Sequence, residues 1–130
     1  MHCKPLGQGT YVLDNSPFYA YDVSLEDTIA ASMQDGCLVF ERVVRRGGHS
    51  TYRVRLPEGE SHDAFLKHWS PQEHLGCTYE GTGVHPRRLY AIDVPPGVSV
   101  RNVYDLLEQG EHEGWWEFEE GHCFSPEYVQ

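Results

Sequence analysis

The sequence predicts an α+β fold with more strand than helix, and three observations carry that reading. Short apolar and aromatic runs separated by turn residues fill the first half. Two segments of helical period lie in the second half, and further strand-like runs flank them. With 130 residues and 39% hydrophobic content, the chain has the size of one domain and enough apolar material for a core.

Tyr11-Val12-Leu13 reads as a strand entering the turn Asp14-Asn15-Ser16-Pro17, where Asn and Asp bond to the following backbone and Pro fixes φ. Phe18–Tyr21 and Thr28–Ala31 read as the next two strands. Asp35-Gly36 marks a turn before the run Cys37–Val44. Gly47-Gly48 then predicts a hairpin between Cys37–Val44 and Ser50–Leu56. A three-residue loop sets Val44 opposite Tyr52, Phe40 opposite Leu56 and Glu41 opposite Arg55, a favourable charge pair. It also gathers Leu38, Phe40, Val44, Tyr52, Val54 and Leu56 on one face.

Beyond the loop from Pro57 to Glu60, Ser61 is placed to cap a helix whose buried stripe is Phe65, Leu66 and Trp69, with Pro71 ending it. Leu75–Tyr79 alternates like a strand, and Leu89–Val94 is another. Ser99 is placed to cap a second helix with Val100, Val103, Tyr104 and Leu107 at i, i+3, i+4 and i+7, and Gly110 suits its C′ position. Trp115–Glu119 closes the series as a strand. From Thr51 the order is β-α-β-β-α-β, the ferredoxin-like split βαβ pattern. The expectation is a single domain over 1–130. Antiparallel strands over 10–50 form a small sheet or partial barrel, a ferredoxin-like unit with two helices spans 51–120, and 121–130 is a C-terminal tail.

Against 20 Asp and Glu stand 10 Lys and Arg, a formal charge of -10. Phosphate backbones and anionic lipid repel such a chain, so nucleic acid and membrane surfaces are not the expected partners. The N-terminal Met1–Leu6 carries no apolar signal region, no run is long enough to span a bilayer, and the expected location is cytoplasmic. Cys3, Cys37, Cys77 and Cys123 are widely spaced and are read as reduced thiols.

No metal or cofactor is expected. His74-x-x-Cys77 and His122-Cys123 lack the paired form of a structural zinc quartet, and adjacent strand residues point to opposite faces. His49-Ser50-Thr51 invites a nucleophile reading, but neighbours in a tight turn rarely reach the geometry that attack requires. No glycine arrangement of the phosphate-cradling kind occurs.

Charge is segregated along the chain. From Asn102 onward there are eight acidic residues and no Lys or Arg, whereas Arg42, Arg45, Arg46, Arg53 and Arg55 cluster earlier. A solvated face is the ordinary account of such runs. Two features favour a contact surface instead: dense like charge destabilises its own domain, and Trp115 sits among the acids as an aromatic anchor. The candidate surface is Glu108, Glu111, Glu113, Trp115, Glu117 and Glu119, with Trp115, Glu117 and Glu119 on the strand face opposite Trp116 and Phe118.

Asp14-Asn15-Ser16-Pro17-Phe18-Tyr19, Gly48-His49-Ser50-Thr51-Tyr52-Arg53-Val54, Leu89–Val94 and the ending Trp116–Cys123 together resemble a bacterial family, domain-of-unknown-function family 4265. The residues carrying the motifs are Asn15, Pro17, Phe18, Gly48, His49, Ser50 and Arg53. Where that family has Val-x-x-Gly-Asp, this chain has Val23-Ser24-Leu25-Glu26-Asp27, so a turn glycine is replaced. The resemblance brings no established catalytic residues. It implies a non-enzymatic immunity protein, an antitoxin that occludes the active site of a cognate polymorphic toxin, with ADP-ribosyltransferases as the implied toxin class. Such a protein is monomeric when free.

Two other readings stand beside that one. One is a small-molecule binder or hydrolase with polar groups from His49, Ser50, Arg53 and Asn15; the other is a regulatory interaction module. A cleft lined by His49, Arg53 and a carboxylate favours the former, and a filled core with an exposed acidic ridge favours binding to a protein.

Overall fold

The computed structural model describes residues 3–14, 22–82 and 87–124. The expected strand Phe18–Tyr21 and the motif residues Asn15, Pro17 and Phe18 lie outside these.

Two four-stranded antiparallel sheets and three helices make up the described chain. The first sheet contains β1 (Cys3–Gly7), β2 (Thr10–Leu13), β3 (Thr28–Gln34) and β4 (Cys37–Arg45) in sequence order. The sequence reading missed β1, because Pro5 and Gly7 look like breakers. It forms an edge strand, where a proline removes no needed hydrogen bond. Asp35 and Gly36 form the two-residue connection of β3 to β4, with φ of 50° and 80°. Both residues being left-handed is what that tight turn demands. A small core of Leu13, Val23 and Ile29 lies under this sheet.

The second sheet has the order β6-β7-β5-β8, from β5 (Ser50–Arg55), β6 (Thr78–Thr82), β7 (Leu89–Val94) and β8 (Glu117–His122). With α1 (His62–Leu66), α2 (Ser70–Leu75) and α3 (Val100–His112) between its strands, this is the ferredoxin-like arrangement the element order predicts. The main core joins Tyr52, Val54, Tyr90 and Ile92 of the sheet to Phe65, Trp69, Val103, Leu107 and Trp116. Phe65 stacks on Tyr90 with ring centroids 3.8 Å apart, and the Trp116 indole donates to the Leu107 carbonyl at 3.0 Å.

The predicted hairpin between Cys37–Val44 and Ser50–Leu56 does not form. Strand β4 pairs with β3, with Phe40 opposite Ala31, so Phe40 and Val44 are left exposed. Strand β5 is an interior strand of the other sheet and pairs with β7 and β8. A strand has two hydrogen-bonding edges, and both edges of β5 are taken by partners distant in sequence. Arg55 therefore faces Glu117, and Glu41 is not its partner.

Three helices replace the two expected. Trp69 and Phe65 are buried as predicted, but Leu66 is exposed, and Pro71 opens α2 instead of ending the helical segment. Proline suits that first-turn position because its missing N–H has no partner there. The strand expected at Leu75 begins at Thr78, since α2 continues to Leu75 and closes on left-handed Gly76. Ser99 caps α3 as expected, accepting from the Asn102 amide at 3.2 Å. Gly110 is not its C′ residue. It lies inside the helix, where an added Cβ would sit 2.4 Å from the Trp116 ring, and the helix ends instead through Glu113 and left-handed Gly114.

Candidate functional site

Between the two sheets lies a seam of buried polar groups, built on the segment 22–27 that leads into β3. Asp27 is fully buried, and its carboxylate holds three partners. Oδ2 accepts from the Ser24 amide at 2.9 Å and from the Arg46 guanidinium at 3.0 Å, while Oδ1 accepts from the Gly47 amide at 2.9 Å. Arg46 also donates to the Asp22 carbonyl. One carboxylate thus fixes the segment to the chain that leaves β4. The contact is close: a Cβ on Gly47 would stand 2.6 Å from the Glu26 carbonyl oxygen.

Ser24 extends the seam into the second sheet. Its hydroxyl lies 2.6 Å from Thr51 Oγ1 and 2.7 Å from His122 Nδ1. Burial, reinforced by the Arg46 guanidinium, lowers the pKa of His122 below its usual value, so the ring is neutral near pH 7. Thr51, Ser24 and the His122 ring thus form one chain of short hydrogen bonds centred on the Ser24 hydroxyl. The Ser24–His122 distance would suit a nucleophile and its base. Both Ser24 and Thr51 are fully buried, however, and a substrate does not reach them. The chemistry of this group is bracing.

His49 sits at the mouth of the seam. Its Nδ1 lies 2.8 and 3.0 Å from the two carboxylate oxygens of buried Asp93. Desolvation raises the Asp93 pKa, opposed by the hydrogen bond from His49. Next to it, the Ser50 hydroxyl accepts from the Phe124 amide at 2.9 Å, so His49 and Ser50 do not act on one another. His49 lines an open cleft of about 410 Å³ with Glu26, Thr28, Arg45, Arg46 and Gly47.

Arg53 is not part of that cleft. It is buried in the second sheet and its Nε donates to Glu119 at 2.9 Å. An added Cβ on Gly121 would meet its guanidinium at 3.0 Å, so the glycine makes room for it. With Arg55, Leu89, Glu117, Phe118 and Glu119 it lines a separate groove of about 210 Å³. The residues of the small-molecule reading therefore divide between two places, and Asn15 lies outside the described residues.

The six residues of the candidate acidic surface divide as well. Glu117 and Glu119 lie on the sheet face that carries Arg55 and Arg53. Arg55 donates to Glu117 at 2.6 Å and Arg87 approaches it at 3.2 Å; these two arginines hold the Glu117 carboxyl below its usual pKa. Trp115 precedes β8 and does not share that face. It is half-buried and stacks on His68 with centroids 3.6 Å apart. Glu108, Glu111 and Glu113 are exposed along α3 and its end. Glu111 accepts from the Phe118 amide at 3.0 Å. Tyr104, one turn before Glu108 on α3, meets Phe118 edge-on with centroids 5.5 Å apart. Glu120, exposed and in register with Tyr52, completes this helix-side patch. Tyr104 and Glu120 were missed as surface members, because Tyr104 fits the apolar stripe of α3 and Glu120 looks like one more acid in a run.

Comparison with known proteins places this architecture. Residues 1–118 match a family described as domain of unknown function (DUF4265). No curated protein matches the chain. Among solved structures it is similar to a hypothetical protein from Neisseria gonorrhoeae, with a TM-score of 0.73 and 19% sequence identity. The similarity covers 92% of this chain and 80% of the other, and at that identity it speaks for the fold alone. Among the described residues, no helix is long and apolar enough to cross a membrane.

Proposed function

We propose that this chain, which belongs to the DUF4265 family, is a non-enzymatic cytoplasmic binding protein that docks a basic protein partner. The reading follows the immunity-protein expectation, in which the partner is a toxin, here of the ADP-ribosyltransferase class, whose active site is occluded. One observation carries it: Glu108, Glu111 and Glu120 stand exposed around Tyr104 and Phe118, with Glu113 exposed at the C-terminal end of the same helix. Among the other acids of the late sequence, Glu117, Glu119 and Asp105 are matched by arginines of the chain itself. The contact surface is thus narrower than the acidic run and centred on α3. Carboxylates around an aromatic pair steer a cationic partner and offer it an apolar anchor.

Co-purification from the native cell, with identification of the captured protein, tests the proposal. Glu108→Lys/Glu111→Lys/Glu113→Lys is compared with Glu58→Lys/Glu60→Lys/Glu73→Lys, which alters net charge equally on other elements. The wild type and the second variant are expected to retain a basic protein, and the first to lose it. Association with the first is expected to slow by about tenfold or more at low salt, the range over which electrostatic steering acts. Equal retention by both variants would overturn the assignment.

A further inference from the structure

We propose that the cleft at the mouth of the seam is a second site, which binds a small oxyanion, the phosphate or carboxylate group of a metabolite, between Arg45 and His49. It lies apart from α3 and does not depend on the partner-binding reading.

Three observations converge there. First, the chain carries a charge of -10, yet Arg42, Arg45 and Arg46 fall within five residues, and two of them line this cleft. Second, the carboxylates beside the cations are largely engaged: Asp27 holds Arg46 and two backbone amides, and Asp93 holds His49. Glu26 is the remaining acid on the lining, and it is placed to accept from a donor group on the same ligand. Third, the His49 ring is fixed before any ligand arrives. Asp93 is nearly fully buried and grips Nδ1 through both oxygens, which leaves Nε2 to the cleft. The anion then lies between the Arg45 guanidinium and the outer edge of the His49 ring, which Asp93 holds in place from behind. A carboxylate behind a histidine orients the ring and leaves its second nitrogen for a ligand.

The backbone around the cleft is also held in an uncommon state. Glu26 has φ of 68°, a left-handed conformation that non-glycine residues seldom adopt, and Asp27 ties down its neighbours on both sides. Strain of this kind collects where a surrounding structure over-determines a site.

The test is titration of the ¹⁵N-labelled full chain with inorganic phosphate, and separately with acetate, at fixed ionic strength. Saturable shifts are expected at the Glu26, Thr28, Gly47, Gly48 and His49 amides and at the His49 ring nitrogens. A tighter response to phosphate assigns a phosphorylated ligand, and a tighter response to acetate a carboxylate. Arg45→Gln removes an exposed side chain and is expected to weaken binding about tenfold, the scale of one charge-assisted hydrogen bond. Arg42→Gln, on the same strand but not lining the cleft, is expected to leave it unchanged. Linear, non-saturating shifts with both anions, or equal weakening by the two variants, would overturn the proposal. So would saturable binding that shifts other residues and leaves His49 unmoved.

Discussion

The hydroxyl of Ser24 and the imidazole of His122 lie 2.7 Å apart across the seam between the two sheets, although 98 residues separate them in sequence. With Thr51 at 2.6 Å from the same hydroxyl, this contact joins the segment before β3 to both β5 and β8. It is a polar clasp on a sheet whose other face carries the aromatic core.

Replacing Ser24 with Ala tests the clasp. The change leaves Thr51 Oγ1 and His122 Nδ1 buried without the hydroxyl that joined them, and the predicted cost is about 2 kcal/mol, the scale of stranding a buried polar group. Urea denaturation reads it as a lower midpoint with unchanged slope. A loss below about 0.5 kcal/mol would mean that the seam contributes little to stability.

Glu26 occupies the position where the family pattern has glycine, and its φ of 68° is a glycine conformation. The backbone at Glu26 is thus one that a glycine would adopt without strain. The predicted consequence is that Glu26→Gly stabilises the chain by about 0.5–1 kcal/mol, the left-handed penalty less the entropy of a freer unfolded chain. Removing a carboxylate that helps to raise the Asp93 pKa acts in the same direction. Thermal unfolding measures it, and a lower Tm for the variant would contradict the argument.

Acidification is predicted to weaken the fold through His122. Burial and Arg46 keep its folded-state pKa below the usual 6.5. The unfolded chain thus binds the proton first, and stability falls as the pH drops through that value. His68, which Trp115 covers and whose pKa is also lowered by burial, contributes with the same sign. Asp93 acts in the opposite direction nearer its own range, because its folded pKa is raised. Urea midpoints are therefore expected to hold from about pH 8 to 7 and to decline from about 6.5 to 5.5. His122→Gln should shallow that decline while lowering the midpoint throughout. An unchanged decline would remove His122 from the account.

Some local signals in the sequence were reliable, while others, such as Pro71 as a helix stop, Gly110 as a C′ residue and Ser61 as a side-chain cap, were not. The Asp35-Gly36 turn, the Ser99 cap and the β-α-β-β-α-β order from Thr51 all depend on neighbours or on the period of a single element, and all are present. Pairing between distant strands was not legible. Gly47-Gly48 looks like a hairpin turn because local patterning cannot show that both edges of β5 are taken by β7 and β8. The same limit explains the candidate surface. The charge of Glu117 and Glu119 is visible in the sequence, but their cross-strand arginines appear only once β5 and β8 are neighbours. The seam was hidden for the same reason, since Ser24, Thr51 and His122 share no spacing. The one hint was Glu26 standing where the family has glycine, which marked the segment 23–27 as unusual.

Amide hydrogen exchange on the complex with the captured partner tests the central claim most directly, because it reports which surface becomes covered. The account predicts added protection over α3 and β8, from Tyr104 to Glu120, with the 26–49 cleft unchanged by the partner. Protection centred on β4 or on the His49 cleft, with α3 exchanging as in the free chain, would contradict it.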